Sequence, residues 1–118
     1  MKVVRMSQVS KELFPNPIFT GSDVTRQTLV PDSKDFNVTI VNFGKGVRNK
    51  LHTHNSEQVL IVTAGTGIVA TEKEQKTVTV GDVILFSAGE KHWHGATADS
   101  EFSHIYVTRL DSQTHIVE

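Results

Sequence analysis

The sequence predicts an all-β fold, a sandwich or barrel of short antiparallel strands. Three observations carry that expectation. Short runs rich in Val, Ile, Thr and Phe recur along the chain, glycine-bearing turns separate them every eight to twelve residues, and no stretch has the apolar repeat of an amphipathic helix. A chain of 118 residues suffices for one domain, 1–118, that buries about two-thirds of the surface its unfolded form exposes.

Taken in order, residues 1–20 read as an N-terminal arm. Phe14-Pro15-Asn16-Pro17-Ile18-Phe19 cannot be helical through its prolines and is expected to be extended. Gly21-Ser22-Asp23 turns into a strand over 24–30, and Pro31-Asp32-Ser33-Lys34-Asp35 is a loop. The core of the fold spans 36–110. Residues 36–43 alternate, with Val38 and Ile40 on one face and Thr39, Val41 and Phe43 on the other. Thr39, Val41 and Phe43, together with Leu60, are expected to fill the interior and line a cavity there.

Gln58-Val59-Leu60-Ile61-Val62 and Val83-Ile84-Leu85-Phe86 are apolar on both faces. Such strands are covered on both sides, so the outside of their sheet is expected to meet another layer or a second subunit, as in a homodimer. Gly65-Thr66-Gly67 reads as a turn into a strand over 68–71. Glu72-Lys73-Glu74-Gln75-Lys76 is a charged hairpin tip, and 77–80 the returning strand. Ser87-Ala88-Gly89-Glu90-Lys91 is a loop leading to His92-Trp93-His94. A strand over 102–108 reads as the last, with a frayed tail carrying His115 beyond it.

Twelve basic and thirteen acidic residues leave a net charge of -1 with no block of like charge, which argues against nucleic acid or an anionic membrane as partner. There is no cysteine, so thiolate ligands and disulfides are excluded. Met1-Lys2-Val3-Val4-Arg5-Met6-Ser7 has no apolar run of signal-peptide length, and a cytoplasmic protein is expected.

The chemistry centres on His52-Thr53-His54. Side chains alternate along a strand, so the two imidazoles project from one face and can hold a single ion. A third histidine and an amide oxygen from elsewhere would complete a site with room for water or substrate. The flanking spacing is Gly46, five residues, His52-Thr53-His54, three residues, Gln58, six residues and Gly65. A second run reads Gly81, five residues, Ser87-Ala88-Gly89, two residues, His92, three residues and Ala96. Fifteen residues separate the two runs.

In this order and spacing the two runs resemble the paired motifs of the cupin family. Gln58 stands where that pattern has Glu, Ser87 where it has Pro and Ala96 where it has Asn. The resemblance implies a double-stranded β-helix, or jelly-roll barrel, with a divalent metal on His52, His54, Gln58 and His92. Gln58 contributes a neutral oxygen, or its amide instead bonds a ligand histidine. As a ligand it would leave the ion's +2 charge uncancelled, bound less tightly but a stronger Lewis acid. Glu57 falls on the opposite face.

The wider run, including Gly89-Glu90-Lys91-His92-Trp93-His94-Gly95-Ala96 and His104, is similar to bacterial manganese-dependent cupin hydroxynitrile lyases and to cupins associated with carboxymuconolactone decarboxylases. That likeness implies manganese (iron, nickel, zinc and copper being alternatives), a small-molecule substrate, and catalytic roles for His94 and His104. Bland readings stand beside these: His94 as a rim side chain or extra ligand, His104 as a core imidazole, Trp93 as packing. The leading expectation is lyase chemistry, in which a metal-bound hydroxyl loses its proton to histidine and a C–C bond breaks. A metal-dependent dioxygenase and a non-catalytic metal-binding module are the alternatives. Because ligand histidines must be neutral, the metal is expected to be lost as pH falls through roughly 6 to 5, the exact range being set by affinity.

Overall fold

The computed structural model describes residues 1–118. One turn of 3-10 helix, Met6–Gln8, precedes ten strands: β1 Glu12–Leu13, β2 Val24–Thr28, β3 Phe36–Phe43, β4 His52–His54, β5 Gln58–Thr71, β6 Gln75–Thr79, β7 Val83–Phe86, β8 His92–Ala96, β9 Phe102–Arg109 and β10 Thr114–Ile116. They form one curled antiparallel sheet in the order β1-β2-β3-β9-β5-β8-β4-β10, with β6 and β7 each paired to β5. This is the all-β, double-stranded β-helix architecture expected, although β6 and β7 pair with nothing else and the barrel is not fully closed. No helix is long and apolar enough to cross a membrane.

β5 organises the curl. Its first half runs between β9 and β7, and its second half between β8 and β6. The turn expected at Gly65-Thr66-Gly67 is instead a bend inside one 14-residue strand. The register against β9 slips between Val62 and Ala64, and Gly65 takes φ 72°. Only glycine occupies that conformation without strain, and a Cβ there would collide with the Glu101 carbonyl oxygen. The bend carries the chain from one half-sheet to the other, so both halves face the same interior.

Inward-facing side chains form the core. Leu60 and Phe102 are fully enclosed, and Phe43, Val62 and Phe86 nearly so. The arm contributes too. Phe14 meets Phe19 edge-on at 5.2 Å between centroids, and Phe19 meets Phe43 at 5.7 Å. β1, paired to β2, ties the arm down at the sheet edge.

No second layer of this chain covers the outer face of the sheet around β7, where Val83 is 66% and Leu85 59% exposed. The expected frayed tail is also replaced by structure. β10 pairs antiparallel with β4, setting Thr114 opposite His54 and Ile116 opposite His52.

Candidate metal centre and cavity

The three-residue strand β4 buries His52 and His54 and leaves Thr53 between them half-buried. Across the ladder His52 pairs with His92, the first residue of β8. Residues forty apart in sequence are thereby brought together (His52 and His92 rings 4.3 Å apart, His54 and His92 rings 5.2 Å apart). The potential ligand atoms of His52, His54 and His92 all lie within 4.8 Å of one another.

Each of these rings is held by its Nδ1. His52 Nδ1 lies 2.6 Å from the Lys50 carbonyl oxygen, and His92 Nδ1 lies 2.7 Å from that of Glu90. A carbonyl only accepts, so both rings carry their proton on Nδ1 and keep a free lone pair on Nε2. His54 Nδ1 is 2.9 Å from the Thr114 hydroxyl. Phe86 stacks on His92 at 3.9 Å and 17° and fixes its plane. The buried Nε2 atoms of His54 and His92 and the buried Oε1 of Gln58 have no hydrogen-bond partner. An orphaned buried polar atom costs about 1–3 kcal/mol, and a shared cation accounts for all three at once. The donor set therefore fits a divalent metal.

Burial keeps these imidazoles neutral. It pushes His54 down to about 4, helped by the nearby charge of His52 and opposed by the Gln58 side chain. Burial likewise takes His92 to about 3, opposed by the Glu90 carbonyl. His52 is lowered by burial against the pull of the Lys50 carbonyl. At pH 7 all three are in the form a metal needs.

Two further histidines lie deeper. His94 on β8 and His104 on β9 are almost wholly enclosed, their rings perpendicular and 4.8 Å apart. Phe43 contacts both, at 6.0 and 5.7 Å. The His94 ring is 6.0 Å from that of His52. The two rings differ in their partners. The Asn49 amide nitrogen lies 3.4 Å from Nδ1 and 3.3 Å from Nε2 of His94, while both nitrogens of His104 are without partners. Burial takes His104 down to about 4, and it lowers His94 well below the usual imidazole range with help from the charge of His104.

A cavity of about 290 Å³ connects the two groups. His52, His54, Gln58, His94 and His104 open onto it, with Val41 and Phe43 on its wall. Thr39 is buried outside that wall, donating to Asn37 Oδ1 at 2.7 Å, and Leu60 lies in the core. Trp93 faces away and carries the Arg48 guanidinium 4.0 Å above its ring. Glu57 and His115 are exposed.

Several residues at the cavity escaped the sequence reading. The Asn49 side chain meets His94 at three points, its amide nitrogen at both ring nitrogens and its Oδ1 accepting the His94 backbone N–H at 2.8 Å. Asn37 donates to the Tyr106 hydroxyl at 3.0 Å. The inward parity of residues 37, 39, 41 and 43 was the available signal for Asn37, whereas Thr114 and Ile116, both exposed, had none. Asn49 carried none.

Residues 39–117 match the model of the cupin domain. The chain belongs to the cupin family. This cupin is 35% identical over 116 residues to the (R)-mandelonitrile lyase of Granulicella tundricola, a match covering 96% of this chain and 88% of that protein. Its fold is similar to a cupin-like protein from Thermotoga maritima, with 30% identity, a TM-score of 0.81, and 89% and 83% of the two chains covered. It is also similar to the polyketide cyclase RemF from Streptomyces resistomycificus, with a TM-score of 0.88 over 100% of this chain and 86% of that one. At 18% identity that second likeness speaks for fold alone.

Proposed function

We propose that this cupin is a metal-dependent lyase that cleaves a C–C bond beside a hydroxyl, with a cyanohydrin as substrate. The observation that carries the reading is that two further buried histidines, His94 and the partnerless His104, open onto the same cavity as His52 and His54 of the neutral histidine triad. The 35% identity to a mandelonitrile lyase supports it. The proposed ligands are His52, His54, Gln58 and His92, and manganese is the proposed metal. Bound there, the ion supplies Lewis-acid polarisation of the substrate hydroxyl and lowers its pKa.

The chain's own groups do the rest. His94 or His104 takes the hydroxyl proton. The bond to the nitrile carbon breaks with its electron pair leaving on cyanide as the carbonyl forms, and the imidazolium returns the proton to give HCN. A His104 imidazole with a pKa near 4 is a weak base at pH 7, which is why the hydroxyl must first be acidified. Once protonated it is a strong acid, well matched to neutralising cyanide. Phe14, Phe19 and Phe43 on the cavity wall suit an aromatic aldehyde group.

The test is benzaldehyde release from mandelonitrile by manganese-loaded protein against a chelator-stripped control. Release that depends on the metal is expected. No release above the control, or oxygen uptake with an enol substrate in its place, would contradict the lyase reading and favour the oxygenase.

We also propose a homodimer through the outer face of the sheet. Ile105, Ile61 and Val83 align across β9, β5 and β7, and Val38, Val107, Val59 and Leu85 form the next row across β3, β9, β5 and β7. Two rows of apolar residues without a charge suit a self-complementary contact. Light scattering should give twice the chain mass, and Leu85→Asp should halve it. A monomer at micromolar concentration would contradict the dimer.

A further inference from the structure

We infer that Thr114 is a positioning residue of the metal centre, and that through it the segment 112–118 is part of the site. The inference rests on the histidine triad as the metal site. Two of the three rings are locked locally, each by a carbonyl two residues earlier in its own strand entry. His54 differs. Its Nδ1 is held by a side chain 60 residues away, on a strand whose three residues are all exposed. A hydroxyl can donate as well as accept, so it must be held in place to keep His54 in the tautomer that frees Nε2.

The segment is built to hold it. Asn55 donates its backbone N–H to the Gln113 carbonyl at 3.2 Å, and Gln113 donates its own to Asn55 Oδ1 at 2.9 Å. At the other end, Val117 donates to the Leu51 carbonyl at 2.9 Å. Glu118 Oε1 accepts from the Leu51 backbone at 2.9 Å and from Arg48 at 2.8 Å. The ligand pair His52 and His54 is therefore bracketed on both sides, at Leu51 and at Asn55. Ser112 and Ser56 join hydroxyls at 2.7 Å behind it. These are mostly exposed bonds, individually weak, so the segment needs a further contribution to stay seated. Linkage makes the relation reciprocal: an ion that requires His54 oriented must also stabilise β10 on β4.

The test compares Thr114→Val, which keeps the shape and removes the acceptor, with Thr114→Ser, which keeps the hydroxyl. Manganese titration of chelator-stripped protein should show affinity lower by about 10- to 100-fold in Thr114→Val and within about 3-fold of wild type in Thr114→Ser. Backbone hydrogen exchange over residues 113–117 should slow on adding Mn²⁺ to wild type and Thr114→Ser, and not to Thr114→Val. Wild-type affinity in Thr114→Val overturns the inference alone, as does an equal loss in both variants. Wild-type protein that takes up no divalent ion overturns the metal centre and this inference with it.

Discussion

The five buried histidines divide into two groups that differ in how their nitrogens are tied. His52, His54 and His92 each have Nδ1 bonded outward, leaving Nε2 free, and their potential ligand atoms lie within 4.8 Å of one another. Neither His94 nor His104 has its Nδ1 on a carbonyl or hydroxyl: the Asn49 amide nitrogen meets both ring nitrogens of His94, and His104 has no partner. Burial is the largest cause lowering both, joined at His94 by the charges of neighbouring imidazoles and opposed at His104 by the Ile105 backbone. A fixed tautomer is what a metal ligand requires, because the lone pair must not wander. A proton carrier requires only one nitrogen open to the cavity, which the rings of His94 and His104 offer. The proposed function gives the same residue type two roles, divided by the hydrogen bonds around each ring.

The largest effect expected of that division comes from breaking one member of each group. His92→Ala should lower metal affinity by more than about 100-fold and take turnover with it, whereas His104→Gln should retain its metal and lose about 10²–10⁴ in kcat. Elemental analysis beside a mandelonitrile assay separates the two. Equal metal loss in both variants would erase the distinction.

Acid provides the next test. Unfolded imidazoles titrate near 6.5. In the folded chain His54 and His104 titrate near 4 and His92 near 3. Between those values the unfolded chain binds more protons, so stability is present above pH 6.5 and falls as pH drops toward 4. Each differing proton contributes up to about 1.4 kcal/mol per pH unit. Urea unfolding of metal-free protein should therefore be flat above pH 7 and weaken steeply below 6.5. A flat profile down to pH 4 would contradict the buried, neutral histidines. Proton competition for the metal moves down with the same pKa values, below the window of 6 to 5 that ordinary imidazoles imply.

Smaller effects sharpen the ligand assignment. Gln58→Glu adds a carboxylate beside the orphaned Nε2 atoms and should tighten metal binding by about 10-fold or more, measured by titration. Glu57→Gln, on the exposed face one residue earlier, should leave affinity within about 2-fold of wild type. The reverse ranking would mean that Glu57 is the ligand.

Much of this was legible in the sequence because it depends on spacing. Alternation along a strand is enough to put His52 with His54 and His92 with His94, and the glycines at fixed offsets announce where the strands end. Gly65 shows the limit. A glycine at positive φ serves a reversal and a bend equally well, and only the pairing of β9 and β8 with successive halves of β5 distinguishes them. The strand β10 was hidden for a related reason. Three exposed residues have no burial pattern, and what holds them is the register to β4 and the contacts of Glu118 rather than their own apolar content. Asn49 bonds His94 across 45 residues, a contact with no local trace.

The division between the three histidines with Nδ1 bonded outward and the two without is tested most directly by long-range proton–nitrogen NMR of the imidazoles at pH 7, recorded on metal-free protein and again with one equivalent of diamagnetic zinc. The account predicts His52, His54 and His92 as neutral Nδ1–H tautomers whose Nε2 signals move on adding zinc, with His94 and His104 neutral and still unligated. Nε2–H tautomers at the triad, or zinc shifts centred on His94 and His104, would contradict it.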